Sequence, residues 1–198
     1  MPVQGLDTLP ASGPGLSLSQ LPAWNVLATA KDGEQRQLAR MLKRFGDFHW
    51  ARFLGVLVGR VEDHEAFLTQ LARCEETKPG FLHPLARLVP IERMFSFTLE
   101  NLAAQLGEAV KTFTDRMGSG SFCVRVERRG HVGELHSQLM EREVGKLVLE
   151  ALATQGLAAT IAFKNPDAII AVEIVGDECG VGLLPRALRD RFPFIKVQ

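Results

Sequence analysis

The chain has 198 residues and no formal net charge, because its 23 Lys and Arg residues balance 23 Asp and Glu residues. No apolar run reaches the about 20 residues needed to cross a bilayer, and the N-terminus lacks the pattern of a secretory signal. Three separated cysteines without a C-x-x-C pair argue against a disulfide framework and a zinc site. We therefore expect a cytoplasmic protein without membrane association or bound metal.

The balanced charge also limits the choice of partner. Basic and acidic residues are equal in number both before Arg87 and from Arg87 onward. A domain that binds nucleic acid on its own usually has a basic balance, because phosphate binding depends on local Lys and Arg density. Two interpretations follow: the protein does not bind RNA, or its cations lie on one face and it binds weakly, as an adaptor would.

Residues 1–22 are rich in Leu, Pro, Gly and Ser and nearly uncharged, which predicts a flexible or loosely docked lead-in. From residue 23 to residue 90, strand-like runs alternate with amphipathic stretches. Asp32 and Asp63 stand where they could cap two helices.

Between these helices, Gly55 and Gly59 predict a bend or bulge inside an extended run. The resulting order is strand–helix–strand–strand–helix–strand. It predicts a ferredoxin-like α/β sandwich over residues 23–90, with helices on one face of an antiparallel sheet.

The rest of the chain, residues 91–198, is predicted to form a second domain. After a bridge at 91–97, an apolar stripe at helical spacing runs from Leu99 to Phe113 and stops at Gly118. The fold class we predict for the whole chain is therefore mixed α/β (α+β).

The centre of this second part is the stretch 121–145, SFCVRVERRGHVGELHSQLMEREVG, which predicts a strand, a cationic turn and a helix. One face of the strand would carry Phe122, Val124 and Val126, and the other Cys123, Arg125 and Glu127. Ser137 begins the helical pattern, and a helix N-terminus there would suit a phosphate.

Downstream of this helix the patterns are shorter. They predict a short strand at 160–163, then strands at 169–175 and 181–184 joined by a turn at 176–180. A short basic helix and an aromatic segment follow within 185–197.

The string V-R-V-E-R-R-G-H, followed by S-Q and E-R-E-V-G, resembles the core of a THUMP domain, the RNA-binding module of tRNA-modifying enzymes. Asn165-Pro166-Asp167, leading into 169–173, fits the same pattern. The chain is similar to the stand-alone THUMP proteins that assist tRNA cytidine acetylation. A small ferredoxin-like domain commonly precedes THUMP in that family.

The resemblance implies a THUMP domain over 91–198 and a set of RNA-facing residues. Carried over position by position, the set is Arg125, Arg128, Arg129, Gly130, His131, Ser137 and Gln138. Nearby cations that would extend this surface are Arg142, Lys146, Lys164, Arg189, Arg191 and Lys196.

Taken without the resemblance, the same residues also fit ordinary structural roles. A solvated turn followed by a capping serine accounts for 128–137, and helix-surface pairs with neighbouring glutamates account for Arg142 and Lys146. The C-terminal arginines could equally be an ordinary basic helix surface.

No catalytic or cofactor motif is present in the sequence. The glycines at 118–120 lack the Gly-Lys-Ser/Thr of a P-loop, and Gly180 and Gly182 lie in a predicted hairpin instead of before a helix. The chain also ends at Gln198, shortly after the THUMP-like stretch. We therefore expect no enzyme activity and no cofactor.

The expected function is a non-catalytic protein that presents the acceptor stem and 3′ CCA end of tRNA to a separate RNA-modifying enzyme. The resemblance implies that this enzyme is a cytidine acetyltransferase, and DNA is not an expected partner. The alternative, favoured by the zero net charge, is a protein-interaction or regulatory module that kept the fold and lost RNA binding.

Overall fold

A computed structural model describes residues 23–197, so the predicted lead-in at 1–22 lies outside the described residues. Across the described residues, nine strands form two sheets, and six helices accompany them. The predicted mixed α/β class is confirmed. Within the same range, none of the helices combines the length and apolar composition needed to cross a membrane.

The first sheet is antiparallel and has the order β2-β3-β1-β4. Its strands are β1 (Val26–Ala30), β2 (Asp47–Trp50), β3 (Val56–Arg60) and β4 (Leu85–Pro90). Two helices accompany it, α1 (Gln35–Leu42) and α2 (His64–Thr77). This order and the βαββαβ sequence confirm the ferredoxin-like prediction.

The helix starts follow local backbone chemistry. Asp63 caps α2, since its carboxylate accepts the backbone N–H of Ala66 at 2.5 Å, as predicted. Asp32 does not cap α1, and the N-cap position belongs to Glu34. The reason is Gly33, whose φ of +79° interrupts the helical backbone between Asp32 and the helix.

The two glycines of the β2–β3 hairpin have different roles. Gly55 lies in the turn with a φ of +73°, as a bend requires. Gly59 marks no bulge, contrary to the prediction, since it lies in regular register inside β3, opposite Phe48 and Val26. A side chain there would overlap the ring of Phe48, so the glycine makes room for an aromatic core residue.

The second sheet has the order β5-β9-β8-β6-β7. Its strands are β5 (Arg93–Ser96), β6 (Ser121–Arg129), β7 (Thr160–Ile161), β8 (Ala168–Val175) and β9 (Glu178–Pro185). The associated helices are α3 (Leu102–Lys111), α4 (Thr114–Met117), α5 (Ser137–Thr154) and α6 (Arg186–Arg191). β6 pairs in parallel with β7 and β8, and the other neighbours are antiparallel.

Two predictions in this half are corrected. The bridge at 91–97 contains the edge strand β5, which pairs with β9. The turn between β8 and β9 is two residues long, Gly176-Asp177, so β9 begins at Glu178 instead of residue 181. Gly176 has a φ of +61°, which permits so tight a turn.

The predicted faces of β6 are confirmed. Phe122, Val124 and Val126 are buried in one core cluster with residues of α3 and α5, while Cys123 is buried in the other, which contains the first sheet. Leu99, predicted as part of the apolar stripe of α3, precedes the helix and is 42% exposed.

The two sheets meet at one face of β9. A side chain at Gly180 would overlap the ring of Trp24, and one at Gly182 would overlap the backbone carbonyl of Pro90. The two glycines therefore permit the close approach of the two sheets. The indole N–H of Trp24 donates to the carboxylate of Glu178 at 2.8 Å. The chain after α6 then returns to the first sheet, where Ile195 pairs with Leu88.

Candidate nucleic-acid interface

The outer edge of β6 begins beside the short strand β7. β7 pairs with Ser121 and Phe122, and no other strand within residues 23–197 extends this edge. Farther along, the carboxylate of Glu141 on α5 accepts the backbone N–H of Val126 at 3.0 Å. The strand edge and the first turns of α5 therefore form one continuous surface.

Arg125 lies on this surface and is partly exposed. Its guanidinium group lies over the ring of Phe163, 5.5 Å from the ring centroid. The nearest carboxylate is that of Glu141, at 3.9 Å, and the guanidinium also donates to the carbonyl oxygen of Val124 at 3.3 Å. Arg125 is thus weakly neutralised.

Phe163 and Lys164 belong to the loop between β7 and β8. The phenylalanine side chain is 67% exposed, and Lys164 is exposed without a salt-bridge partner among the described residues. Lys164 is among the RNA-facing cations predicted from the sequence, but that prediction misses Phe163, because an apolar residue in a predicted strand normally packs in the core.

Arginines of α6 hold this loop in place. Arg186 donates to the carbonyl oxygen of Asn165 and Arg189 to that of Pro166, each at 2.5 Å. Asp167, at the end of the loop, accepts the hydroxyl and backbone N–H of Ser121 at 2.7 and 2.8 Å. These bonds hold the end of the segment that carries Phe163.

Asp167 is stabilised as a carboxylate by its contacts. The hydrogen bonds from Ser121 lower the pKa of Asp167, and the positive charge of Arg186, at 2.9 Å, lowers it further. The loop is thus anchored by an ionised carboxyl group at neutral pH.

The charges of Arg189 and Arg125 both act on the buried thiol of Cys123. Burial raises the pKa of the Cys123 thiol, and the charges of both arginines act against that rise. Arg189 donates to the carbonyl oxygens of Pro166 and Leu184, so its charge is solvated by neutral groups. We call Arg125, Phe163, Lys164 and Arg189 the Phe163 surface.

Arg129 does not join this surface. Its guanidinium group is bonded to the carboxylate of Glu173 at 2.8 Å, and its side chain is 12% exposed. Arg87 of β4 binds the same carboxylate at 2.6 Å. Burial raises the pKa of Glu173, and the two arginines oppose that rise. Arg129, which the resemblance implied to be RNA-facing, is therefore an ion-pair partner that lies largely inside the protein.

Of the other residues of the predicted turn, His131 is engaged internally, whereas Arg128 is not paired with a carboxylate in the described part of the chain. The ring of His131 lies 3.0 Å from the carboxylates of both Glu134 and Asp177 and packs beside Phe97. Arg128 donates to the carbonyl oxygen of Gly130 at 3.2 Å and has no salt-bridge partner within residues 23–197. The ring of His131 therefore closes the turn between two carboxylates.

The backbone conformation at position 130 requires glycine. Its φ is +106°, and a side chain there would contact Gly176 and Phe53. The position brings the turn after β6 against the β8–β9 turn and against the first sheet's β2–β3 connection.

The start of α5 differs from the capping-serine alternative. The N-cap residue is His136, which makes no side-chain capping bond, and Ser137 is the first helical residue. Gln138 is exposed. Arg142 is exposed without a salt-bridge partner in the described part of the chain, whereas Lys146 pairs with Glu143 at 2.9 Å, as the helix-surface alternative predicted.

The last two predicted cations lie toward the first sheet. Arg191 pairs with Glu65 of α2 and also donates to Thr69. Lys196 is exposed and follows Ile195, which pairs with Leu88 at the edge of β4. The predicted set is therefore divided: close ion pairs engage Arg129, Lys146 and Arg191, and the ring of His131 lies between two carboxylates.

Comparison with known domain families identifies the second part of the chain. Residues 98–184 match the model of the THUMP domain, so the chain contains a THUMP domain there. The match covers β6, α5, β7, β8 and most of β9, the elements that carry most of the Phe163 surface and the turn after β6. No curated protein sequence matches the chain.

Solved structures share the fold over most of this chain. TrmN from Thermus thermophilus is 22% identical with a TM-score of 0.59, and the alignment covers 85% of this chain and 48% of TrmN. PH1313 from Pyrococcus horikoshii Ot3 is 14% identical with a TM-score of 0.55, covering 80% of this chain and 53% of PH1313.

A 4-thiouridine synthetase, solved in complex with RNA and bound ATP, is also similar. It is 14% identical with a TM-score of 0.53, and the alignment covers 81% of this chain and 41% of the synthetase. The chain thus spans about half of the length of these proteins or less, and the likeness at these identities concerns the fold.

Proposed function

We propose that this protein binds tRNA through its THUMP domain and presents the acceptor stem and 3′ CCA end to a separate RNA-modifying enzyme. The observation that carries the proposal is the Phe163 surface, where the guanidinium group of Arg125 lies over an exposed aromatic ring and neither Lys164 nor Arg189 has a carboxylate partner among the described residues.

The charges of this surface favour a phosphate ligand. Arg125 is 3.9 Å from its nearest carboxylate, Arg189 is bound by backbone carbonyls, and Lys164 is exposed. A guanidinium group bound by neutral carbonyls keeps its full charge, and phosphate accepts charge-assisted hydrogen bonds from such groups. Arg142 on α5 adds a further exposed cation.

The small number of these cations fits an adaptor. A few phosphate contacts give modest affinity at physiological salt, since each contact contributes through counterion release. A protein of zero net charge would then depend on a second subunit for tight RNA binding. We propose that the catalytic enzyme is that subunit.

The fold relatives support an RNA ligand. THUMP domains occur in tRNA-modifying enzymes, and the similar 4-thiouridine synthetase was solved with RNA bound. We propose that this chain supplies the RNA-binding part and no catalytic group, that its partner enzyme is a cytidine acetyltransferase, and that both act in the cytoplasm. The support for the acetyltransferase is the resemblance of the 124–145 stretch to stand-alone THUMP proteins that assist cytidine acetylation.

The test is a titration of the protein with tRNA at about 50 and 200 mM salt, the range over which phosphate contacts are strongly weakened. Intact tRNA is compared with tRNA lacking its 3′ CCA. We expect salt-sensitive binding that weakens when CCA is removed. Absence of binding at about 50 mM salt would contradict the proposal.

One observation favours the alternative function, a protein-interaction module. An apolar groove runs between α3 and α5, with Leu99 and Leu139 exposed by 42% and 53% along it. An exposed apolar groove is a common docking surface for another protein. If tRNA does not bind, this groove becomes the principal candidate site.

A further inference from the structure

We propose that Phe163 is a stacking platform for one unpaired nucleobase of the 3′ CCA end of the bound RNA, with Arg125 stacked on the opposite face of the ring. The inference rests on the proposed function, RNA binding by the THUMP domain, and names the part of the ligand that the Phe163 surface selects.

The exposure of Phe163 leaves an aromatic ring available to a ligand. Among the phenylalanines of residues 23–197, Phe163 is the one with a highly exposed side chain, at 67%. Phe113, Phe122 and Phe192 are each 1% exposed. Leaving a large aromatic ring in water forgoes the free energy that its burial contributes, and exposed aromatics on RNA-binding surfaces stack with bases.

The loop around Phe163 is held before any ligand binds. Arg186 and Arg189 bind consecutive carbonyl groups at Asn165 and Pro166, and Asp167 is bonded to Ser121. The ring is therefore exposed on an anchored segment. A preorganised platform loses little conformational entropy on binding, which raises the affinity for a stacked ligand.

The arrangement around the ring matches a nucleotide. The guanidinium group of Arg125 lies over the ring, 5.5 Å from its centroid, and the exposed remainder of the ring is open to solvent. A base on that open side would complete a guanidinium–phenyl–base stack, while Lys164 is adjacent for a phosphate.

The same arrangement discriminates between forms of RNA. In a duplex, each base face is covered by its neighbours, so a phenyl ring has no base to stack on without disrupting the helix. An unpaired 3′ end offers free base faces. Stacking tolerates every base because each has a π-face, so Phe163 would select for unpaired nucleotides and not for a particular sequence.

The experiment compares Phe163→Ala with wild type on two RNAs, intact tRNA and the same tRNA lacking its 3′ CCA. Removal of one base stack should weaken binding of intact tRNA by about 5- to 150-fold. Binding of the truncated tRNA should stay unchanged, and so should the salt slope, because every phosphate contact remains. Leu99→Ala, which removes a 42% exposed side chain beside the α3–α5 groove, is the matched control and should alter binding of neither RNA.

A second variant gives a direct optical readout. Phe163→Trp should retain binding of intact tRNA and should show quenched indole fluorescence in the complex, with wild type supplying the background of Trp24 and Trp50. The truncated tRNA should leave this fluorescence unchanged.

The outcomes separate this inference from the proposed function. Suppose that wild type binds intact tRNA. If Phe163→Ala binds it equally well, or if its affinity falls by the same factor for both RNAs, the stacking role is overturned while tRNA binding stands. If wild type binds neither RNA, the proposed function fails and this inference fails with it.

Discussion

Arg87 and Glu173 are 86 residues apart in the chain, yet the guanidinium group of Arg87 donates to both carboxylate oxygens of Glu173 at 2.6 and 2.7 Å. Both side chains are buried, Arg87 on the first sheet and Glu173 on the second. Arg129 completes the cluster from β6. This ion cluster joins the ferredoxin-like sheet to the THUMP sheet.

Removing the shared carboxylate should therefore destabilise the whole protein. Glu173→Gln leaves the buried guanidinium group of Arg87 and the partly buried one of Arg129 without their main counter-charge, which costs about 3–5 kcal/mol of unfolding free energy. Urea unfolding measures this cost. Glu65→Gln is the control, since it removes one partner of the exposed Arg191 pair and should cost about 1 kcal/mol or less. Equal losses in the two variants would contradict a stabilising role for the buried cluster.

Two glycine substitutions should have opposite effects on stability. Gly182→Ala places a methyl group against the carbonyl oxygen of Pro90 at the end of β4, and such overpacking costs about 1–3 kcal/mol. Gly107→Ala in α3 meets Leu147 at an ordinary 3.7 Å and should stabilise the helix by about 0.5–1 kcal/mol. Thermal or urea unfolding of both variants checks the signs. A stabilising Gly182→Ala would show that the two sheets do not approach as described.

The cations of the Phe163 surface should contribute to tRNA binding through charge. Arg125→Ala or Lys164→Ala should weaken binding of every tRNA similarly and lower the salt slope by about 0.7–0.9 for each phosphate that the variant no longer neutralises. Binding isotherms at several salt concentrations measure both quantities.

The matched control for these cations is Lys146→Ala, because Lys146 is already paired with Glu143 on the surface of α5. It should leave the salt slope near the wild-type value. A larger effect from Lys146→Ala than from Lys164→Ala would move the RNA path from the Phe163 surface to the outer face of α5.

The anchor at Asp167 should make part of the stability depend on pH. Hydrogen bonds from Ser121 and the charge of Arg186 lower the pKa of Asp167 in the folded protein. Its contribution is therefore fully present above the unfolded pKa of about 3.9 and is lost as pH falls through the lower folded pKa. Asp167→Asn should be less stable than wild type at pH 7, and the difference should shrink below about pH 4.

Urea unfolding of both proteins between neutral and acidic pH measures this difference. Glu75 also has a lowered pKa, so its contribution to stability changes with pH as well. The variant must therefore be compared with wild type at each pH, so that the contributions of the other carboxyl groups cancel. A difference that stays constant down to the most acidic condition would contradict the ionised anchor.

The sequence alone determined most of the elements and the two faces of β6. The alternation of 121–128 placed Phe122 and Cys123 on opposite faces of β6, and the order of strand and helix patterns predicted the ferredoxin-like arrangement. These features depend on residues a few positions apart, whose side-chain period follows from backbone geometry. The resemblance to THUMP domains is confirmed for residues 98–184, and it was detectable because its motif is a continuous string.

Only the tertiary structure decided which cations remain free. Arg128 and Arg129 are adjacent in the chain, yet Arg129 meets Glu173, 44 residues away, and Arg128 turns to its own loop. Phe163 has the local pattern of a core residue, but the loop that α6 anchors holds its ring in solvent. Ion pairing and exposure depend on contacts between distant segments, so local patterns do not encode them, and the fold itself selects the candidate RNA surface.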